Sequence, residues 1–112
     1  MDTDKIGTTT IAPAVIGTIA RLTTLATPGV SRMSAVRFPH TKHPIDSETE
    51  GVKAVVKNGQ LYVDLYIVTT SEVNVRLVSE TIQQRVLRAI SELTGMDVAQ
   101  VNVHITDIDI EA

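Results

Sequence analysis

Cysteine and tryptophan are absent from these 112 residues, and aromatic residues make up only 3% of them. The lack of cysteine removes disulfide scaffolds, thiolate zinc sites and cysteine nucleophiles together, and suits a chain in a reducing compartment. No window approaches the run of about eighteen apolar residues that a membrane-spanning helix needs. The opening Met1–Lys5 is acidic and polar, unlike the basic and apolar start of a secretory leader. A cytoplasmic chain is therefore expected, with any membrane association made through a partner. Basic charge is scarce too: 10 Lys and Arg stand against 13 Asp and Glu, a formal net charge of -3. That balance disfavours nucleic acid as a partner, because a phosphate-backbone binder usually carries a basic footprint.

What is present suffices for a core. With 43% hydrophobic residues, a single domain over residues 1–112 is expected to hide roughly two-thirds of its extended-chain surface. Thr8 to Ile11 is a β-branched run that reads as a strand, and Pro13 follows in a position favoured at the first turn of a helix. Val15, Ile19, Leu22 and Ala26, widened by Ile16 and Leu25, then recur at helical spacing, with Gly17, Arg21 and Thr24 on the opposite side. Pro28 and Gly29 end that helix, and Val30 to Arg37 reads as a strand whose facing the pattern leaves open.

Phe38 to Gly51 has no period of either kind and reads as a loop. Asn58-Gly59 between two apolar arms predicts a type I′ hairpin. In its second arm Leu61, Val63, Leu65 and Ile67 alternate with Tyr62, Asp64, Tyr66 and Val68. Asn74 is an N-cap for a helix of about twenty residues, whose stripe is Val75, Val78, Ile82, Val86, Ala89 and Leu93 and whose stop is Gly95. Val101, Val103 and Ile105 alternate in a closing strand, and the phase slips by one before Ile108 and Ile110, as a bulge or a strand end produces. The fold class is α+β, a two-layer sandwich of order β-α-β-β-β-α-β. Its mixed or antiparallel sheet has both helices packed on one face and the other face open.

Four groups of residues could carry function. His40, His43 and Asp46 bring two imidazoles and a carboxylate together, a combination that can ligate zinc. They sit in a polar loop with no fourth ligand in view, which favours solvated side chains. His104, on a strand's polar face, is read as an exposed or hydrogen-bonded imidazole rather than a base. Tyr62, Asp64 and Tyr66 share one strand face and offer stacking surface, with a carboxylate between the rings that repels phosphate. Leu77 and Leu87 point away from the long helix's stripe; single exposed leucines are normal on a helix surface, and two along one flank are equally consistent with a partner-binding edge. No Gly-flanked serine elbow or phosphate-cradling glycine loop occurs, so neither an enzyme nor a cofactor is expected.

With these residues in view, the chain resembles the alkaline-shock protein family of envelope stress proteins. The likeness begins at Gly7, Ile11, Pro13, Val15 and Ile16, continues through the turn Pro28-Gly29-Val30, and includes the strand Val63 to Val68. It is densest at Ile82, Gln83, Val86, Ala89, Ile90, Thr94, Gly95, Val98, Val101, Asn102 and Val103, and covers about residues 5–110. The resemblance implies a bacterial, mostly cytosolic protein linked to envelope or alkaline stress, with self-association, a small membrane-anchored partner, or both. It brings no catalytic residues. The expected function is a non-enzymatic interaction or self-assembly module at or near the membrane, with Tyr62, Asp64, Tyr66, Leu77 and Leu87 as its contact residues. The alternative is a nucleic-acid-binding module using the open sheet face, with Arg76, Arg85 and Arg88 on the long helix nearby.

Overall fold

The computed structural model describes residues 6–35 and 50–110. Their elements are α1 (Pro13–Leu25), β1 (Val30–Met33), β2 (Val52–Lys57), β3 (Gln60–Thr70), α2 (Val75–Thr94) and β4 (Val98–Asp109). β3 is the middle of the sheet. β4 runs parallel along one of its edges, while β2 pairs antiparallel with its first half and β1 antiparallel with its second. Both helices cover the same face, so the two-layer α+β architecture with a mixed sheet is as expected. The core between the layers is built from Leu61, Val63, Leu65 and Ile67 of β3 and Val78, Ile82, Val86 and Ile90 of α2. Each such side chain, fully removed from water, contributes about 1.5 to 3 kcal/mol.

The local signals that act over a few residues are seen directly. Asn58 and Gly59 adopt φ of 53° and 76°, as a type I′ turn requires. The Asn74 side chain accepts from the Leu77 N–H at 3.1 Å, and Gly95 closes α2 at φ 73°. Thr106 is the extra residue of a bulge, because Ile67 faces Ile105 while Val68 faces Asp107.

Two expectations are corrected, and one left open is settled. Thr8 to Ile11 joins no strand ladder. Both edges of β3 are already occupied, and Ile11 gains its burial by packing its side chain against the core's margin. α1 is rotated from the expected facing: Ile16, Gly17, Ala20 and Thr24 are buried, whereas Val15 and Leu22 are 45% and 55% exposed. The small residues win the inner position because they let α1 lie close to α2 and the sheet. The one hydroxyl this buries, on Thr24, donates to the Ala20 carbonyl at 2.7 Å. In β1 the facing is set by a bulge at Ser31, which turns both Val30 and Met33 toward the helices.

β1 and β2 lie end to end along one edge of β3, and Tyr66 is where they meet. The Ser34 N–H donates to the Tyr66 carbonyl, and the Tyr66 N–H donates to the Gly51 carbonyl, each at 2.8 Å. Ser34 and Gly51 thus meet this edge on the same residue of β3, one at its carbonyl and the other at its N–H. Gly51 sits at φ 77°, and a Cβ there would lie 2.8 Å from the Tyr66 carbonyl oxygen and 3.1 Å from that of Ser34. On the core face Thr69 is fully buried with its hydroxyl unpartnered, at a cost of about 1 to 3 kcal/mol.

Candidate functional site

The face of the sheet turned away from the helices carries every second residue of β3 and its neighbours. Tyr62, Asp64 and Tyr66 are on it, and the register sets Lys53 and Val55 of β2 opposite Asp64 and Tyr62. On the other side β4 sets Gln100, Asn102 and His104 opposite Tyr62, Asp64 and Tyr66. These pairings follow from strand alternation once the β3–β4 register is fixed.

Asp64 is the hub. Its Oδ1 accepts from His104 Nε2 at 2.9 Å and from Asn102 Nδ2 at 3.3 Å. The His104 ring also stacks on Tyr66, with centroids 4.5 Å apart and planes inclined by 17°. One flat face of the imidazole and one of its nitrogens are thereby committed to lateral contacts within the sheet, and the ring is held rather than left to rotate. His104 was read as an exposed or hydrogen-bonded imidazole, and it is hydrogen-bonded. Only the pairing of two strands 40 positions apart shows it to be part of the site, and no local signal reveals that pairing.

Partial burial pushes the Tyr66 phenol above its ordinary value, and the neighbouring Asp64 carboxylate adds to the effect. A tyrosine whose folded value is raised contributes stability that is present below its unfolded value and lost as pH rises through the folded one. Tyr62→Phe leaves Tyr66 as the sole tyrosine, so an ultraviolet absorbance titration of that variant is expected to give a midpoint above 10.0. A midpoint at or below it would show that the ring is not held against the sheet as described.

A second group lies farther along the same face. The Asp109 carboxylate accepts from the Ser31 hydroxyl and from Arg32 Nε and Nη2 at 3.2 Å each, which holds its carboxyl below the usual range. The bulge at Ser31 puts consecutive side chains within reach of one acid.

The expected contact residues do not form one surface. Tyr62, Asp64 and Tyr66 lie on the open sheet face, whereas Leu77 and Leu87 are exposed on α2, in the other layer. The arginines expected near the tyrosines are in that other layer too. Arg76 pairs with Glu80 at 3.3 Å and Arg88 with Glu92 at 3.2 Å. Basic and acidic groups on the sheet face itself are balanced, with Arg32 tied to Asp109, so there is no basic stripe for a phosphate backbone to follow. His40, His43 and Asp46 lie outside the described residues. Among the described residues no group of three His, Asp or Glu side chains could hold a metal ion, and no helix is long and apolar enough to cross a membrane.

An apolar cleft of about 330 Å³ opens between the N-terminus of α1 and the β2–β3 hairpin, lined by Ile11, Pro13, Ile16, Val56, Leu61 and Met96 among others. It was not foreseen, because its walls come from residues far apart in the chain.

Comparison with known proteins agrees with the fold. Two variants of the MamM CTD, one with three substitutions and one with two, superpose with a TM-score of 0.50 at 14% identity. They cover 83% and 88% of this chain and 92% of their own. The protein YqhY of Bacillus subtilis (strain 168) is 26% identical over 113 residues, 95% of this chain and 80% of the relative. Residues 1–110 match the family of alkaline shock protein twenty-three, described by a cell envelope-related function. The chain belongs to that family, and its function is cell envelope-related.

Proposed function

We propose that this chain is a non-enzymatic interaction module of the envelope stress response, which associates with itself and presents its open sheet face to a protein partner such as a small membrane-anchored protein. The observation that carries this reading is the sheet face itself. It is uncovered by the helices, and its aromatic ring Tyr66 is fixed in place by His104, which Asp64 in turn orients. A pre-ordered, half-buried tyrosine loses little further freedom on binding and offers large apolar area with a polar tip, the properties of interface anchors. The Asp64–His104 pair supports docking better than catalysis, because the ring is engaged by Tyr66 and Asp64 within the sheet.

Light scattering of the untagged protein over a concentration series tests this directly. Reversible growth beyond the monomer mass that persists in high salt is expected, since the anchor proposed is an aromatic ring rather than a charge pair. Tyr66→Ala is expected to abolish capture of the membrane-anchored partner. A monomer at every concentration, together with steep salt-sensitive binding to single-stranded nucleic acid that Tyr66→Ala removes, would overturn the reading in favour of a nucleic-acid module.

A further inference from the structure

β4 is twelve residues long and forms one edge of the sheet, since among the described residues only β3 pairs with it. A long edge strand presents unpaired backbone donors and acceptors, and proteins commonly blunt such edges with bulges and charge. Here the blunting is confined to the ends. Ala99 and Thr106 are the extra residues at the two breaks in register with β3, and Asp107 and Asp109 follow the second. Between them Gln100 to Ile105 is a regular, uncharged segment.

We propose that two copies of this chain pair along this segment, β4 against β4 and antiparallel about Val103, so that the two sheets become one. The proposal rests on the self-association reading and names its interface. Three observations favour this occupant and this geometry. A two-fold axis perpendicular to the sheet must pass through a residue, because facing residues in an antiparallel pair point to the same side. With Val103 on the axis, Val101 of each copy faces Ile105 of the other on the helix side, and Asn102 faces His104 on the open side. Apolar then meets apolar and polar meets polar.

Charge selects the direction. Parallel pairing would set Asp107 and Asp109 of one copy beside the same acids of the other, a destabilising arrangement. Antiparallel pairing about Val103 instead carries each Asp107 opposite the neutral Ala99 of its partner, and the acid it sets opposite Asp97 is Asp109, which Arg32 of its own chain already pairs.

The helix layer agrees. α1 packs on β1 and β2, and α2 on β4. Arg85, Ala89 and Glu92 border α1 in the cleft they share with Leu22, Thr23 and Ala26. The opposite flank of α2 therefore overhangs the free edge, and Leu87, 42% exposed, is on that flank. In the paired arrangement the Leu87 flanks of the two copies lie on the same side of the joined sheet.

The chain has no native cysteine, so single-cysteine variants of the full chain read the register by oxidation. Val103→Cys is expected to give roughly tenfold more covalent dimer than Val101→Cys or Ile105→Cys, whose like positions would stand about 13 Å apart, beyond disulfide reach. An equimolar mixture of Asn102→Cys and His104→Cys chains is expected to cross-link more than either alone, which keeps the test open if Val103→Cys folds poorly. Dimers by light scattering that cross-link at none of these positions would overturn the strand pairing and leave self-association standing. A monomer at every concentration would overturn both.

Discussion

Replacing Leu65 with alanine is expected to lower the unfolding free energy by about 2 to 5 kcal/mol, read from urea unfolding of the variant beside the parent chain. Leu65 is wholly buried at the centre of β3. Its neighbours across the ladders are Val52 on one side and Val103 on the other, so three aliphatic side chains form a row beneath the helices. The row's outer members are anchored in strands and cannot move inward to fill the space, which places the expected cost well above the transfer term for the lost carbons alone. Against a total stability of about 5 to 15 kcal/mol, this one change would remove a large share. A loss below about 1 kcal/mol would mean that the two layers pack loosely at their middle.

Gly51→Ala is the second change expected to cost heavily, about 2 to 3 kcal/mol, for a backbone reason. The φ of 77° is one that an alanine adopts only with strain, and the new Cβ would press on the Tyr66 and Ser34 carbonyl oxygens. Relief requires the junction of β1, β2 and β3 to open, which would weaken both hydrogen bonds to the Tyr66 backbone. Amide exchange at Ser34 and Tyr66 is therefore expected to rise more than in the β2–β3 hairpin. Equal protection at both places, with stability unchanged, would show that the junction yields without cost.

How far the sequence could be read depended on the range of each determinant. The Asn58-Gly59 turn, the Asn74 and Gly95 caps and the bulge at Thr106 are decided within a few residues, and the structure has all of them as expected. The facing of α1 was misread because the hydrophobic stripe through Val15 and Leu22 competes with a stripe of small residues. Only the presence of α2 alongside decides that Gly17, Ala20 and Thr24 go inside. β1 was undecided because a one-residue bulge reverses its alternation. At the site, the tyrosines and Asp64 were legible from period-two alternation. His104 and Asn102 were not assigned to it, because their place depends on a parallel register reached through a twenty-residue helix. Leu77 and Leu87 were correctly read as exposed, but which layer they occupy is a property of the packed domain.

The end-to-end placement of β1 and β2 uncouples the length of the chain between them from the geometry of the sheet. Ser34 and Gly51 are both fastened to the backbone of Tyr66, so the two ends of the intervening stretch are fixed whatever its length. The position is therefore a natural port, where added sequence can diversify one rim of the domain while the open sheet face beside it keeps its shape.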